Sequence, residues 1–155
     1  MGLLFDYFVA ASDREAAETI AWVGGPGAGD PAEQRSGYEI VDGKGIDPVV
    51  KLGAFEELVT GRTFDERLAD VPSEPLAIRD EGDGWVLPLS VFLVDGLAAT
   101  DETTLTSLVP RWATIEEFQG AGRDVDDLTS FVLGLQTLAR EARSNGGHVY
   151  CWFSL

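Results

Sequence analysis

Residues 124–155, "DVDDLTSFVLGLQTLAREARSNGGHVYCWFSL", carry two different periodicities back to back. Over 124–145, Leu128, Phe131, Val132, Leu135, Leu138, Ala139 and Ala142 recur at three- and four-residue spacing, which places them on one face of a helix. Acidic residues crowd its start and Arg140 and Arg143 stand near its end, both favourable to the helix dipole. Gly146-Gly147 supply the stop. The chain then changes to "HVYCWFS", a run of β-branched and aromatic residues of strand length. A long one-faced helix delivering the chain into a strand predicts an α+β domain in which this helix packs on a sheet.

Working outward, the other end of the chain is a second strand, "LLFDYFVA" (3–10). Between them, Ser12 with Glu15 marks a helix start, continuing to about Val23 with Ala16, Ile20 and Val23 on one face. "GGPGAGDP" (24–31) reads as a surface loop, because glycine and proline support neither ladder nor helix; it lacks the Gly-Lys-Ser/Thr ending of a phosphate loop, and no basic residue follows until Arg35. "GYEIV" (37–41) reads as a short strand. Asp47-Pro48 opens a helix whose stripe is Val49, Leu52, Phe55, Leu58 and Val59 and whose cap is Gly61. Thr63 with Glu66 starts a short helix before Pro72. "EPLAIRDEGDGWVLPLS" (74–90) has the alternation and turn of a hairpin. Helices follow at 90–99 and 101–110, the second ended or kinked by Pro110, and Thr114 with Glu117 opens a last short one up to Gly120. With 155 residues, no repeat and no linker, the chain is expected to form a single domain over 1–155, with an antiparallel or mixed sheet that includes both terminal strands.

Composition narrows the function classes. Asp and Glu number 27 against 11 Lys and Arg, a net charge of −16. Such a field repels nucleic acid and anionic membrane, and it attracts a basic protein. The single cysteine excludes an internal disulfide and fits a reducing compartment. The opening "MGLLFDYFVA" lacks a basic n-region and Asp6 interrupts it, so neither a secretory leader nor a myristoylation motif is expected. No apolar run reaches the ~20 residues of a membrane span. A cytoplasmic location follows. Only Lys44 and Lys51 are lysines and Asn145 is the lone asparagine, the bias of a GC-rich bacterial genome.

Candidate site residues come from the strand periodicity. Val149, Cys151, Phe153 and Leu155 share one face; His148, Tyr150, Trp152 and Ser154 share the other. His148 and Cys151 therefore point opposite ways and form neither a metal pair nor a nucleophile–base pair. Cys151 falls among core residues, where a thiol acts as a small hydrophobe. His148, Tyr150 and Trp152 have apolar bodies with polar tips, as pocket linings do. If the terminal strands are neighbours, Asp6 joins them.

The alternative for this face is an ordinary two-sided sheet whose polar tips find partners. Asp124, Asp126 and Asp127 form an acidic cluster, a candidate face for a basic partner. They lack the remaining ligands of a calcium loop, and a helix start explains them. No Gly-x-Ser-x-Gly elbow or other catalytic signature is present, and no cofactor motif. No metal, cofactor or catalytic residue is expected.

"DGKGIDPVVKLGAFEELVTGRTFDE" (42–66) and "LTSFVLGLQTLAREARSNGGHVYCWFSL" (128–155) resemble the first helix and the closing helix–strand of the YfbM-like family of domains of unknown function. "LPLSVFLVDGLAATDETTL" (87–105) is similar to its middle helices. Ile46-Asp47-Pro48 stands where a Trp commonly follows the Lys in that family. The resemblance implies an α+β fold and no activity. Two functions follow from the whole reading. One is a non-enzymatic interaction protein, of inhibitor or immunity type, that meets a basic partner through its acidic surface. The other is a small-molecule-binding or hydrolytic domain with a pocket near the terminal strands.

Overall fold

In the structure, a computed structural model that describes residues 3–43, 45–72, 74–119 and 124–155, the terminal strands β1 (Leu4–Ala10) and β5 (His148–Ser154) lie side by side, antiparallel, at the centre of one sheet. Phe5 opposes Phe153, Asp6 opposes Trp152 and Phe8 opposes Tyr150. Strand β2 (Ile40–Asp42) continues the sheet beyond β1. The hairpin β3 (Ala77–Ile78) and β4 (Gly84–Pro88) completes it beyond β5, giving the order β2-β1-β5-β4-β3, antiparallel throughout. It is a single α+β domain.

Helix α6 (Val125–Asn145) forms as its periodicity predicts. Asp124 caps it by accepting from the Asp127 amide at 2.8 Å, and Gly146 ends it at a φ of 72°, a conformation costly for residues with a Cβ. Its buried face lies on β1 and β5, meeting Val149, Cys151 and Phe153. Helices α2 (Lys51–Thr60), α4 (Val91–Ala99) and α5 (Glu102–Trp112) pack with it to form the main core. Cys151 is fully buried there, and desolvation, its largest influence, holds the thiol well above its ordinary pKa. A thiol so held is neither exposed nor ionised, the two conditions of reactivity.

The opposite sheet face is covered too. Helix α1 (Asp13–Glu18) and the chain that follows it bury Phe8, Ala10, Val86, Tyr150 and Trp152 in a second, smaller cluster. The glycine-rich stretch belongs to this cover: Gly25 lies against the Trp152 indole, where an added Cβ would sit 3.1 Å from the ring. Gly25, Pro26 and Gly29 are buried.

Five local expectations need correction. Helix α2 starts at Lys51 with Val50 as its cap, so Asp47 and Pro48 do not open it and Val49 precedes it, in a turn whose Val49 and Val50 amides donate to Asp47. Helix α1 stops at Glu18 and tightens into a 3-10 turn over Thr19–Ala21, with the Thr19 hydroxyl donating to Ala16 O at 2.6 Å, so Val23 falls outside it and is exposed. The strand at 37–41 begins only at Ile40. Tyr38 is held in the cover by stacking on Trp22 at 5.6 Å, and its amide donates to Pro26 O. Pro110 does not end α5, which runs on to Trp112. The capping box at Thr114 does not form: its hydroxyl donates back to Arg111 O at 2.7 Å, and a 3-10 turn over Glu116–Phe118 starts without a side-chain cap. Gly120, the expected end of that segment, lies outside the described residues. No helix among the described residues is long and apolar enough to cross a membrane.

Candidate functional site

A cavity opens where α2, the short helix α3 (Phe64–Leu68) and the β4–α4 junction meet. Its volume is about 500 Å³, within the ~300–1,000 Å³ of small-molecule sites. Most of its wall is apolar, including Val49, Pro72, Leu87 and Phe92, and Glu56, Arg67, Asp70, Ser90, Asp13 and His148 interrupt it.

Local rules place the polar groups. Asp47 accepts from the amides of Val49 and Val50, at 3.0 and 2.6 Å, fixing the entry to α2. Glu56 lies one helical turn beyond Leu52 and is 3% exposed. Ser90 caps α4 and donates its hydroxyl to Glu56 Oε1 at 2.5 Å. Gly61 turns the chain at a φ of 73°, which brings Arg62 Nη1 to 3.6 Å from the same oxygen. The other side of the Arg62 guanidinium pairs with Asp70, and its Cζ lies 3.7 Å from the Phe92 ring centre.

A complete capping box between Thr63 and Glu66 starts α3 and directs Arg67 back onto α2. Arg67 is 5% exposed. Its Nη1 donates to Val49 O at 2.8 Å, while its Nε has no hydrogen-bond partner among the described residues. Gly53 is the reason it fits: a Cβ there would fall 2.3 Å from Arg67 Nη1. On the sheet side of the cavity, His148 Nε2 lies 2.7 Å from Leu89 O, so this nitrogen carries the hydrogen and donates. Asp13 accepts from the Tyr150 hydroxyl at 2.7 Å.

The second cavity, about 450 Å³, lies over the sheet under the 20–24 segment. Asp6, Trp152, Ser154, Trp22 and Arg79 line it. The Trp152 indole Nε1 is buried without a partner. Arg79 Cζ stands 5.8 Å from the Trp152 ring centre, and its Nη1 donates to Ser154 Oγ at 3.3 Å.

Of the four residues drawn from strand periodicity, only Asp6 and Trp152 therefore share a cavity. His148 belongs to the other one. Tyr150 lines neither, being 1% exposed with its hydroxyl on Asp13. Asp124, Asp126 and Asp127 are exposed at the start of α6, on neither cavity wall. Among the described residues no three His, Cys, Asp or Glu side chains gather as a metal site.

Sequence reasoning missed Glu56, Arg67 and Ser90. One signal for Glu56 was present: position 56 continues the Leu52 line of the apolar stripe, so a carboxylate there has to be buried and partnered.

Asp6 carries a testable electrostatic cost. Burial first, and then the charge of Asp42 directly across from it on β2, raises its pKa above the ordinary 3.8. A carboxyl raised in the folded state destabilises the fold when ionised. That cost is absent below the unfolded pKa and grows as pH rises through the folded one. Asp6→Asn is therefore expected to stabilise the protein at neutral pH by a few tenths to about 1 kcal/mol, the range for directly opposed like charges. The gain should fade as pH drops from the raised folded pKa toward the ordinary carboxylate value and be absent below it. Urea unfolding across pH checks it, and a variant less stable than the parent at neutral pH would contradict the account.

No protein-family model, curated protein or solved structure matches the chain.

Proposed function

We propose that the protein binds a small molecule in the cavity between α2, α3 and the start of α4. The observation that carries this reading is the composition of the wall: a mostly apolar cavity of about 500 Å³ into which three separate segments bring Glu56, Arg67 and Ser90. Polar groups buried in an apolar wall are costly to maintain and give orientation to a bound ligand. The resemblance to the YfbM-like family adds no activity to this reading. The roles assigned are binding roles, because Ser90 and His148 each already donate to a protein acceptor.

A ligand present at a hundred times its Kd stabilises the fold by about 2.7 kcal/mol, which at this chain length raises Tm by roughly 5–10 °C. A thermal-shift panel of organic acids, amines, nucleosides and sugars should therefore contain stabilising compounds. Val91→Trp should abolish the shift, since Val91 lines the cavity and is 56% exposed, leaving the indole free to cover the mouth. A silent panel, or a shift untouched by this variant, would reject the cavity as the binding site.

A second reading is supported by charge. Among the described residues Asp126 and Asp127 are exposed with no ion-pair partner, on a chain of net charge −16. These carboxylates suit a basic protein, whose association should slow as salt rises from 0.1 to 1 M and the Debye length shrinks from about 10 to about 3 Å. A salt-independent on-rate would leave the acidity without a role in binding.

A further inference from the structure

We infer that the occupant of the α2–α3–α4 cavity is a small carboxylic acid with an apolar body, its carboxylate held by Arg67. This inference rests on the cavity being a ligand site and assigns the chemistry of that ligand.

Each polar group of the wall can be asked what it has left to offer. Glu56 accepts from Ser90 at 2.5 Å and faces Arg62 at 3.6 Å. Asp70 is paired with Arg62. Asp13 accepts from Tyr150 at 2.7 Å, Ser90 donates to Glu56, and His148 donates to Leu89 O. Every carboxylate on the wall is thus already served by a donor of the protein itself.

Arg67 is the exception. It is 5% exposed and has no carboxylate within ion-pair distance among the described residues. Among the described residues only its Nη1 is hydrogen-bonded, to the Val49 carbonyl, its Nε is unpartnered, and its Cζ lies 5.2 Å from the Phe64 ring centre. A guanidinium removed from water without a counterion is a costly arrangement. Its remaining Nε–Nη2 edge is the fork that matches the two oxygens of a carboxylate.

The apolar body follows from charge. Asp13, Glu56 and Asp70 outnumber Arg62 and Arg67 around the cavity, so its field does not gather anions in general. An anion gains there only by hydrogen bonding to Arg67 while burying apolar surface on Val49, Pro72, Leu87, Val91 and Phe92. Val91 and Phe92, both about half exposed at 56% and 48%, extend that apolar wall to solvent.

The test is calorimetric titration with three matched probes, phenylacetate, phenethyl alcohol and phenethylamine, on the parent and two variants. Phenylacetate should bind the parent at least about tenfold more tightly than the alcohol, the margin of one charge-assisted interaction. Arg67→Met should bring phenylacetate down to the level of the alcohol and leave the alcohol unchanged. Gly53→Ala provides a variant that does not remove Arg67. Its Cβ displaces the guanidinium, 2.3 Å away, from its seat. Alanine also favours the α2 helix by up to about 1 kcal/mol over glycine, so lost phenylacetate selectivity there cannot be assigned to a weakened helix.

Equal binding of acid and alcohol, or tightest binding of the amine, overturns the carboxylate assignment while leaving the cavity a ligand site. Retained selectivity in Arg67→Met also overturns it. If none of the three probes binds, the carboxylate assignment fails, and the ligand-site reading fails with it only if the wider thermal-shift panel is silent too.

Discussion

Trp112→Ala is expected to cost about 3–5 kcal/mol of stability, the range for truncating a buried aromatic. Trp112 is fully buried at the centre of the helical layer. Its ring lies 4.9 Å from Phe55 of α2, 5.1 Å from Phe118 and 6.2 Å from Phe131 of α6. Its indole Nε1 donates to Lys51 O at 2.8 Å, a second bond to a carbonyl in the first turn of α2. One side chain thus joins α5, α2 and α6, and its removal leaves a void where the three meet. At about 2–4 °C per kcal/mol for a chain of this size, Tm should fall by roughly 6–20 °C. Trp112→Phe separates the two contributions: it keeps most of the packing and should lose only about 0.5–1.5 kcal/mol for the indole hydrogen bond. An alanine variant within about 1 kcal/mol of the parent in urea unfolding would show that this packing is not central.

Glu56→Ala is expected to cost about 3 kcal/mol, because it leaves a cation partly buried with one fewer anion. Arg62 keeps Asp70 and its side chain is 19% exposed, which holds the loss near the lower end of the range for broken buried pairs. Ser90 also loses its acceptor. The diagnostic measurement is a double-mutant cycle with Arg62→Ala. If the pair is coupled as its 3.6 Å separation implies, the double variant should lose less than the sum of the singles by at least about half a kcal/mol. Strict additivity would mean that Glu56 is held by Ser90 alone.

The two variants also differ in what they report about the cavity. Trp112 does not line it, so Trp112→Phe should leave ligand affinity unchanged. Glu56 does line it, so Glu56→Gln, which keeps an acceptor for Ser90 and removes the charge, should alter the binding of charged ligands more than that of neutral ones. Stability and recognition are thus separable at adjacent positions of the same helical layer.

Features that depend on neighbours along the chain could be read without the fold. Helix α6 was legible because its period, its Asp124 cap and its Gly146 stop are all local and all agree. The capping box at Thr63, the Gly61 stop and the hairpin at 77–88 were legible for the same reason. The alternation of β5 separated Cys151 from His148, and it identified two usable faces. Local signals failed where a competing partner was equally near: Thr114 turned back to Arg111 instead of capping forward, and Pro110 was tolerated near the end of a helix already held by core packing.

Features that depend on segments far apart in the chain were set by packing. Chain order does not specify that β5 is inserted between β1 and β4, and this insertion places Asp6 opposite Trp152. The same packing separates the expected pocket residues: His148 is held on Leu89 O at the α2–α3–α4 cavity, Tyr150 is sealed on Asp13, and Trp152 lies under the glycine-rich cover. Glu56, Arg67 and Ser90 come from two helices and a helix cap, and no spacing rule links them. Arg67 is the clearest case. In the sequence it is one more charge after a capping box, and only folding gives it the seat at Gly53, the contact with Val49 and the lack of a counterion. Burial changes the energetic meaning of a charge, and burial is a property of the whole packing rather than of any stretch of chain.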